Sequence, residues 1–231
     1  MKVIFNINKI HSEEVGEMAP TVINWRESLR DKKSAQARFE KWLFVNLSKV
    51  LIGGKTGELI RFKAPFFQKT LAETLRDGQS LADQWGIQMM VLRQCNNCAH
   101  VIFYSEDRLE EALEEARKTP LLERLNYHAD IKGKNFLEQL SLKWQIEGTI
   151  PHEIGIAAGY PLKDILGFMG LLSLPLKKVC GWQIYGDVET SMKIKTRYDQ
   201  AQKLAMDYLG VDHSVFQRDE FCNHEGTCLP Q

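Results

Sequence analysis

Six side chains in the second half of the chain have types suited to acid–base or binding chemistry: His152, Glu153, Tyr160, Asp164, Tyr185 and Asp187. Pro151 suits the first turn of a helix and sets His152 and Glu153 beside unpaired backbone N–H groups. Those groups favour an anionic Glu or a bound anion and disfavour a protonated His. A neutral His152 could then serve as hydrogen-bond partner, metal ligand or proton carrier. An enzyme built on these residues needs a concave pocket that gathers them. The competing reading is structural: His152 bonds a backbone carbonyl, Glu153 caps its own helix, and Asp187 is a helix N-cap.

A second constellation is Cys95-Asn96-Asn97-Cys98. Asn tolerates positive φ, so Asn96-Asn97 predicts a two-residue turn joining the β-rich runs Ile87 to Gln94 and Ala99 to Tyr104. The two cysteines then flank the turn on one face with Cα atoms about 5.5 Å apart, within disulfide reach. Arg93 and His100 form the next pair on that face. The thiolates could equally hold half of a zinc site, which Cys222, His224 and Cys228 of the tail would complete if the tail folds back. Ordinary reduced thiols are the third reading. Zinc is the one cofactor these residues point to.

Several familiar motifs are excluded by spacing. Gly54-Lys55-Thr56 resembles the end of a phosphate-binding loop, but the required upstream Gly is Lys49, so a helix stop leading into a strand is expected. His152-Glu153 opens like a helical zinc-protease motif, yet Ile156 stands where the second His must be. No G-x-S-x-G is present. Ile154 to Phe168 matches the small and apolar spacing of a helix-turn-helix, with Leu162 and Lys163 at the centre of any DNA-reading surface. Its second helix offers one base and one acid, too few for phosphate and base contacts. It is expected to pack through Leu162, Ile165, Leu166 and Phe168, and nucleic acid is not the expected partner.

The elements that must position these residues follow from periodicity. Residues 12–52 read as helical, with Ala35, Phe39, Trp42, Leu43, Leu47 and Val50 at helical spacing and Gly53-Gly54 as the stop. Gly57 to Ala64 reads as a strand, and Leu71, Leu75, Leu81 and Trp85 mark a helix. Ser105 is an N-cap for a helix whose buried stripe is Leu109, Ala112, Leu113 and Ala116. Phe136, Leu137, Leu140 and Trp144 mark another. Two short helices, a strand at Trp182 to Tyr185 and a long helix opened by Asp187 follow. If Trp182 to Tyr185 joins the earlier strands, the result is an α+β fold. It would have a small antiparallel, split β-α-β-like sheet, helices on one face and an N-terminal helical layer. The expected divisions are 1–56 for that layer, 57–210 for the α+β core and 211–231 for a loose tail.

Composition bounds the rest. The 231 residues carry 30 Lys+Arg against 30 Asp+Glu, so no global field draws the chain to nucleic acid or anionic membrane. Asn6, Asn8 and Lys9 interrupt any signal-peptide core, and the longest uncharged apolar stretch is too short to span a bilayer. The chain is expected in the cytoplasm, where an odd count of 5 cysteines is read as thiols or metal ligands.

Pro151-His152-Glu153-Ile154-Gly155, then Gly159-Tyr160-Pro161-Leu162-Lys163-Asp164-Ile165-Leu166-Gly167-Phe168, then Gly181-Trp182-Gln183-Ile184-Tyr185-Gly186-Asp187, together resemble a bacterial domain-of-unknown-function family. That family has a PHEIG, GYPLxDxxGF and GxWxxYGD signature, and the likeness runs from Leu122 to Tyr198, more weakly back to Gly53. The resemblance implies a cytosolic protein of anaerobes whose gene lies near flavodoxin or iron-related genes. The expected function is therefore a binding or accessory protein in redox or metal metabolism. If that gene neighbourhood means contact, the partner the resemblance implies is an acidic redox protein such as a flavodoxin, with the basic Arg26 to Lys41 helices as the expected docking face. An enzyme around His152 and Glu153 and a helix-turn-helix regulator are the alternatives.

Overall fold

Three strands, β1 (Gly57–Lys63), β2 (Gln88–Gln94) and β3 (Cys98–Tyr104), form one antiparallel sheet in the order β1-β3-β2. They belong to a computed structural model that describes residues 20–211. β1 and β2 both run antiparallel to β3 and are joined through helix α3 (Leu71–Trp85), so the first three strands make the split β-α-β by themselves. Thr70 and Glu73 cap α3 reciprocally, each side chain bonding the other's backbone N–H, and Gly86 ends the helix in the left-handed conformation.

Central strand β3 is apolar almost without interruption, and both its faces are covered by helices. This corrects the expectation of helices on one face. Val101 and Phe103 face one cluster with Phe39, Leu43 and Leu47 of α2 (Ser34–Leu51), Trp85 of α3 and Ala205 of α9 (Val188–Leu209). Helix α1 (Pro20–Ser28) joins this layer through Trp25. Ile102 and Tyr104 face the other cluster, with Leu109 and Leu113 of α4 (Glu106–Arg117), Leu121 of α5 (Leu121–Arg124), and Phe136, Leu140 and Trp144 of α6 (Gly133–Glu147). Each buried Val, Leu, Ile or Phe among them contributes roughly 1.5–3 kcal/mol relative to exposure. The near-continuous run Ala99-His100-Val101-Ile102-Phe103-Tyr104 is what a strand buried on both faces requires.

Helices α7 (Ile154–Ala157) and α8 (Leu162–Phe168) are short, as expected. β4 (Leu176–Val179) pairs antiparallel with β5 (Gln183–Tyr185) in a separate two-stranded sheet, so the Trp182 to Tyr185 segment does not join the first sheet. The physical reason is packing: β5 lies against α8, and Ile184 is fully buried there. Gly167 permits that contact, because a Cβ at this position would sit 2.6 Å from Cγ of Tyr185. Asp187 then opens α9 as N-cap, accepting from the N–H groups of Glu189 at 2.9 Å and Thr190 at 3.4 Å.

Candidate functional site

Asp164 sits in the first turn of α8 with its side chain only 1% exposed, and four donors surround it. Lys163 Nζ lies 2.7 Å and the Tyr185 backbone N–H 2.8 Å from Oδ1; Ser191 Oγ lies 2.6 Å and Trp182 Nε1 2.9 Å from Oδ2. Lys163 also donates to the Tyr185 carbonyl at 2.7 Å and to Ser191 at 2.8 Å. Burial pushes the Asp164 pKa up, but the hydrogen bonds from Lys163, Ser191, Tyr185 N–H and Trp182 outweigh it and hold the carboxyl below its ordinary value. One carboxylate therefore ties together α8, β5 and the start of α9.

Tyr160 stacks on Trp182, with ring centroids 5.2 Å apart. Behind it lies a second buried ion group. Lys55 Nζ is 2.6 Å from Glu58 Oε2, Lys49 Nζ is 3.1 Å from Oε1, and the Lys55 ammonium faces the Tyr160 and Tyr198 rings at 5.6 and 5.7 Å. Tyr198 of α9 donates to the Gly159 carbonyl at 3.0 Å. Gly159 has φ +68, and a Cβ there would lie 2.8 Å from the Thr56 nitrogen, so this glycine lets the turn before Tyr160 close onto the start of β1. Burial, and then the negative Glu58, raise the Tyr160 pKa, which keeps its phenol protonated at neutral pH.

The structure separates His152 from Glu153. Glu153 points inward, accepting from Tyr127 Oη and Lys143 Nζ, both at 3.0 Å, while Lys143 also donates to the Leu125 carbonyl at 2.7 Å. His152 points outward and its ring meets Phe168 edge to face at 4.9 Å. The N–H groups that follow this pair are already bonded: Ile154 to Pro151, Gly155 to His152 and Ile156 to Glu153 carbonyls. The proposed open N-terminus is a single closed turn. Asp187 is an exposed cap, and the Tyr185 hydroxyl bonds Gln183 at 2.6 Å. Tyr160, Asp164 and Tyr185 thus share one neighbourhood, His152 and Glu153 face in different directions, and a concavity lined by Val91, Leu92, Arg93, Gln94 and Gln145 lies elsewhere, along β2.

Residues that periodicity did not single out complete these groups: Lys55, Glu58, Trp182, Lys163 and Ser191. Lys55 and Glu58 lie three residues apart across a turn into a strand, a spacing that carries no helical or strand signal. Trp182 and Lys163 were visible within the quoted motifs, and Lys55 only through its likeness to a phosphate-binding loop.

Cys95 and Cys98 flank the β2–β3 turn as expected, with Arg93 opposite His100 as the next pair. No disulfide joins them. Cys222, His224 and Cys228 lie outside the described residues, and among the described residues no group of three His, Cys, Asp or Glu converges as a metal site. Among those residues too, no helix is long and apolar enough to cross a membrane.

The fold and these clusters define an α+β domain in which Glu153, Lys163 and Asp164 serve as internal ties between short helices, a β-hairpin and the last long helix. The chain belongs to the family described as Protein of unknown function (DUF3793), whose model matches residues 43–217, from within α2 to just beyond α9. No curated protein and no solved structure matches it.

The divergence of His152 and Glu153 has a measurable consequence. Glu153→Gln, which weakens two buried contacts, is expected to cost roughly 2 kcal/mol and lower Tm on the order of 5 °C. His152→Ala should stay within about 0.5 kcal/mol of wild type. Thermal melts followed by circular dichroism check both values, and equal losses would contradict the geometry.

Proposed function

We propose that the protein is a binding or accessory protein of redox or metal metabolism in the bacterial cytoplasm, and that it docks an acidic redox protein of the flavodoxin class. The observation that carries this reading is the character of the segment between Asp164 and Asp187. It contains no Asp or Glu, its two bases Lys177 and Lys178 are both exposed, and Phe168, Leu172, Leu176 and Val179 present apolar surface to solvent. Every residue of β4 is exposed. An apolar surface flanked by lysines with no ion pair among the described residues suits a partner whose own contact face is apolar and acidic. The basic N-terminal helices add Arg30, Lys33 and Arg38, all exposed, while Lys32 is held by Glu40 at 2.6 Å.

The enzyme alternative is disfavoured because Glu153 and Asp164 spend their acceptor capacity on fixed internal donors. The DNA alternative is disfavoured because Lys163 is bound by Asp164, Ser191 and Tyr185 and is not available to a phosphate. Of the four α8 residues expected inside, Ile165 is buried but Phe168 is 43% exposed.

Isothermal titration of purified flavodoxin against the full-length protein tests the proposal. Saturable binding is expected, weakened at least about tenfold by Lys177→Glu combined with Lys178→Glu, and weakened by added salt. Absence of binding, or binding indifferent to the charge reversal, would retire the reading. Retention of a small molecule in native mass spectrometry, lost in Tyr160→Phe, would favour the enzyme instead.

A further inference from the structure

We propose that Cys95 and Cys98 form a thiol–disulfide exchange site at the turn end of the three-stranded sheet, with an anionic disulfide as its substrate class. This deepens the redox half of the reading above but lies on another surface, so failure of docking at Lys177 and Lys178 leaves it standing.

The turn supplies the geometry. The Cys95 N–H donates to the Cys98 carbonyl at 2.8 Å, which makes the two residues a hydrogen-bonded cross-strand pair. Such pairs hold their Cα atoms about 5.5 Å apart with side chains on one face, inside the roughly 4.4–6.8 Å range of disulfides. The two differ in access: Cys95 is exposed, whereas Cys98 is 3% exposed. That asymmetry divides the work, with Cys95 reached by an outside disulfide and Cys98 reached through Cys95.

The register supplies the charge. β2 gains one residue between Val91 and Arg93, so that Arg93, His100 and Arg61 stand in one row across the three strands, and Lys63 is opposite Cys98 in the next row. On this face β1 contributes Gly57, Leu59, Arg61 and Lys63, and β3 contributes Cys98, His100, Ile102 and Tyr104, none of them acidic. Arg93 is anchored by a 2.5 Å bond to the Gly148 carbonyl, and Trp144 covers the His100 ring at 4.7 Å. Burial, followed by the charges of Arg61 and Arg93, lowers the His100 pKa to about 4. The concavity lined by Val91, Leu92, Arg93, Gln94 and Gln145 follows the outer side of β2 to the residue before Cys95 and offers room for the chain that carries the disulfide.

The chemistry balances with a disulfide as oxidant. The Cys95 thiol loses its proton and its sulfur attacks one sulfur of the substrate, forming a mixed disulfide and releasing one substrate thiolate. Cys98 loses its proton and attacks Cys95 Sγ, closing the Cys95–Cys98 disulfide and expelling the second thiolate. Two electrons pass to the substrate, and the two protons end on its two thiols.

The test uses the reduced full-length protein equilibrated at pH 7 with mixtures of reduced and oxidised glutathione. Acid quenching, alkylation and mass analysis of the peptide bearing both cysteines give the readout. The peptide is expected to pass directly from doubly alkylated to unalkylated and two hydrogens lighter. Cys98→Ser should instead accumulate a glutathione adduct on Cys95, and Cys95→Ser should react about tenfold more slowly, since the remaining thiol is buried. Lys63→Glu should slow reaction with oxidised glutathione, an anionic disulfide, and speed reaction with cystamine, a cationic one. The proposal is overturned if the pair stays doubly alkylated in excess oxidised glutathione, if Cys95 closes onto Cys180 or a tail cysteine, or if Lys63→Glu moves both rates in one direction. Unchanged far-ultraviolet dichroism confirms that each variant is folded when compared.

Discussion

Asp164→Ala is expected to destabilise the protein by about 3–5 kcal/mol, a fall in Tm on the order of 10 °C, because it leaves the Lys163 ammonium and three further donors without their common acceptor. Lys163→Met should cost less, since Asp164 would keep Ser191, Trp182 and the Tyr185 N–H. The sign of the pH dependence follows from the lowered pKa. The folded-state value lies below the ordinary aspartate value of 3.8, so the contribution of the ionised carboxylate is complete above the unfolded value and is lost as pH falls through the folded one. The stability difference between wild type and Asp164→Asn, measured by denaturant titration, should therefore be flat above about pH 5 and shrink below it. A difference that grew on acidification would contradict the network described.

Glu58→Ala carries the second large effect. Lys55 is 7% exposed and its closest acceptor is Glu58, so removing the carboxylate strands a buried ammonium. A loss of about 3–5 kcal/mol is expected. Burial raises the Glu58 pKa, but Lys55 and Lys49 together lower it further, which marks the ionised form as the one the fold stabilises. Replacing both partners with apolar residues of similar volume, Lys55→Met with Glu58→Leu, should recover most of the loss, because neither charge then has to be desolvated. A double-mutant cycle read by chemical denaturation gives the coupling directly. Flavodoxin binding by the doubly replaced protein should match wild type, since the pair is internal; a loss would place Lys55 and Glu58 in the binding site.

Local signals in the chain accounted for most of the elements. The helical spacing of Phe39, Leu43, Leu47 and Val50, the Ser105 and Asp187 caps, and the Asn96-Asn97 turn all act within a few residues, so each was legible before any packing was known. The pairing of Cys95 with Cys98 was legible for the same reason, because a two-residue turn sets the register of its own flanks. The route of Trp182 to Tyr185 was not. A three-residue strand has no pattern that selects one sheet over another, and its seat against α8 depends on Gly167 leaving space for Tyr185. Nor did spacing show that β3 would be covered on both sides, although its apolar run, broken only at His100, is of the kind such a strand needs.

What the sequence determined by itself is the inventory and the local geometry: an α+β order of elements, their caps and stops, the spacing of its polar residues, and a cysteine pair across a tight turn. Tertiary structure alone decided what those polar residues do. Neighbours in sequence at a one-turn helix point in opposite directions, so Glu153 went to Tyr127 and Lys143 while His152 went to solvent beside Phe168. Asp164 acquired donors from residues 18 and 27 positions away. The physical reason is that hydrogen bonds and ion pairs form between atoms within a few ångströms regardless of separation along the chain. A carboxylate that meets several fixed donors in a desolvated interior becomes a structural tie, whatever chemistry its residue type could otherwise perform.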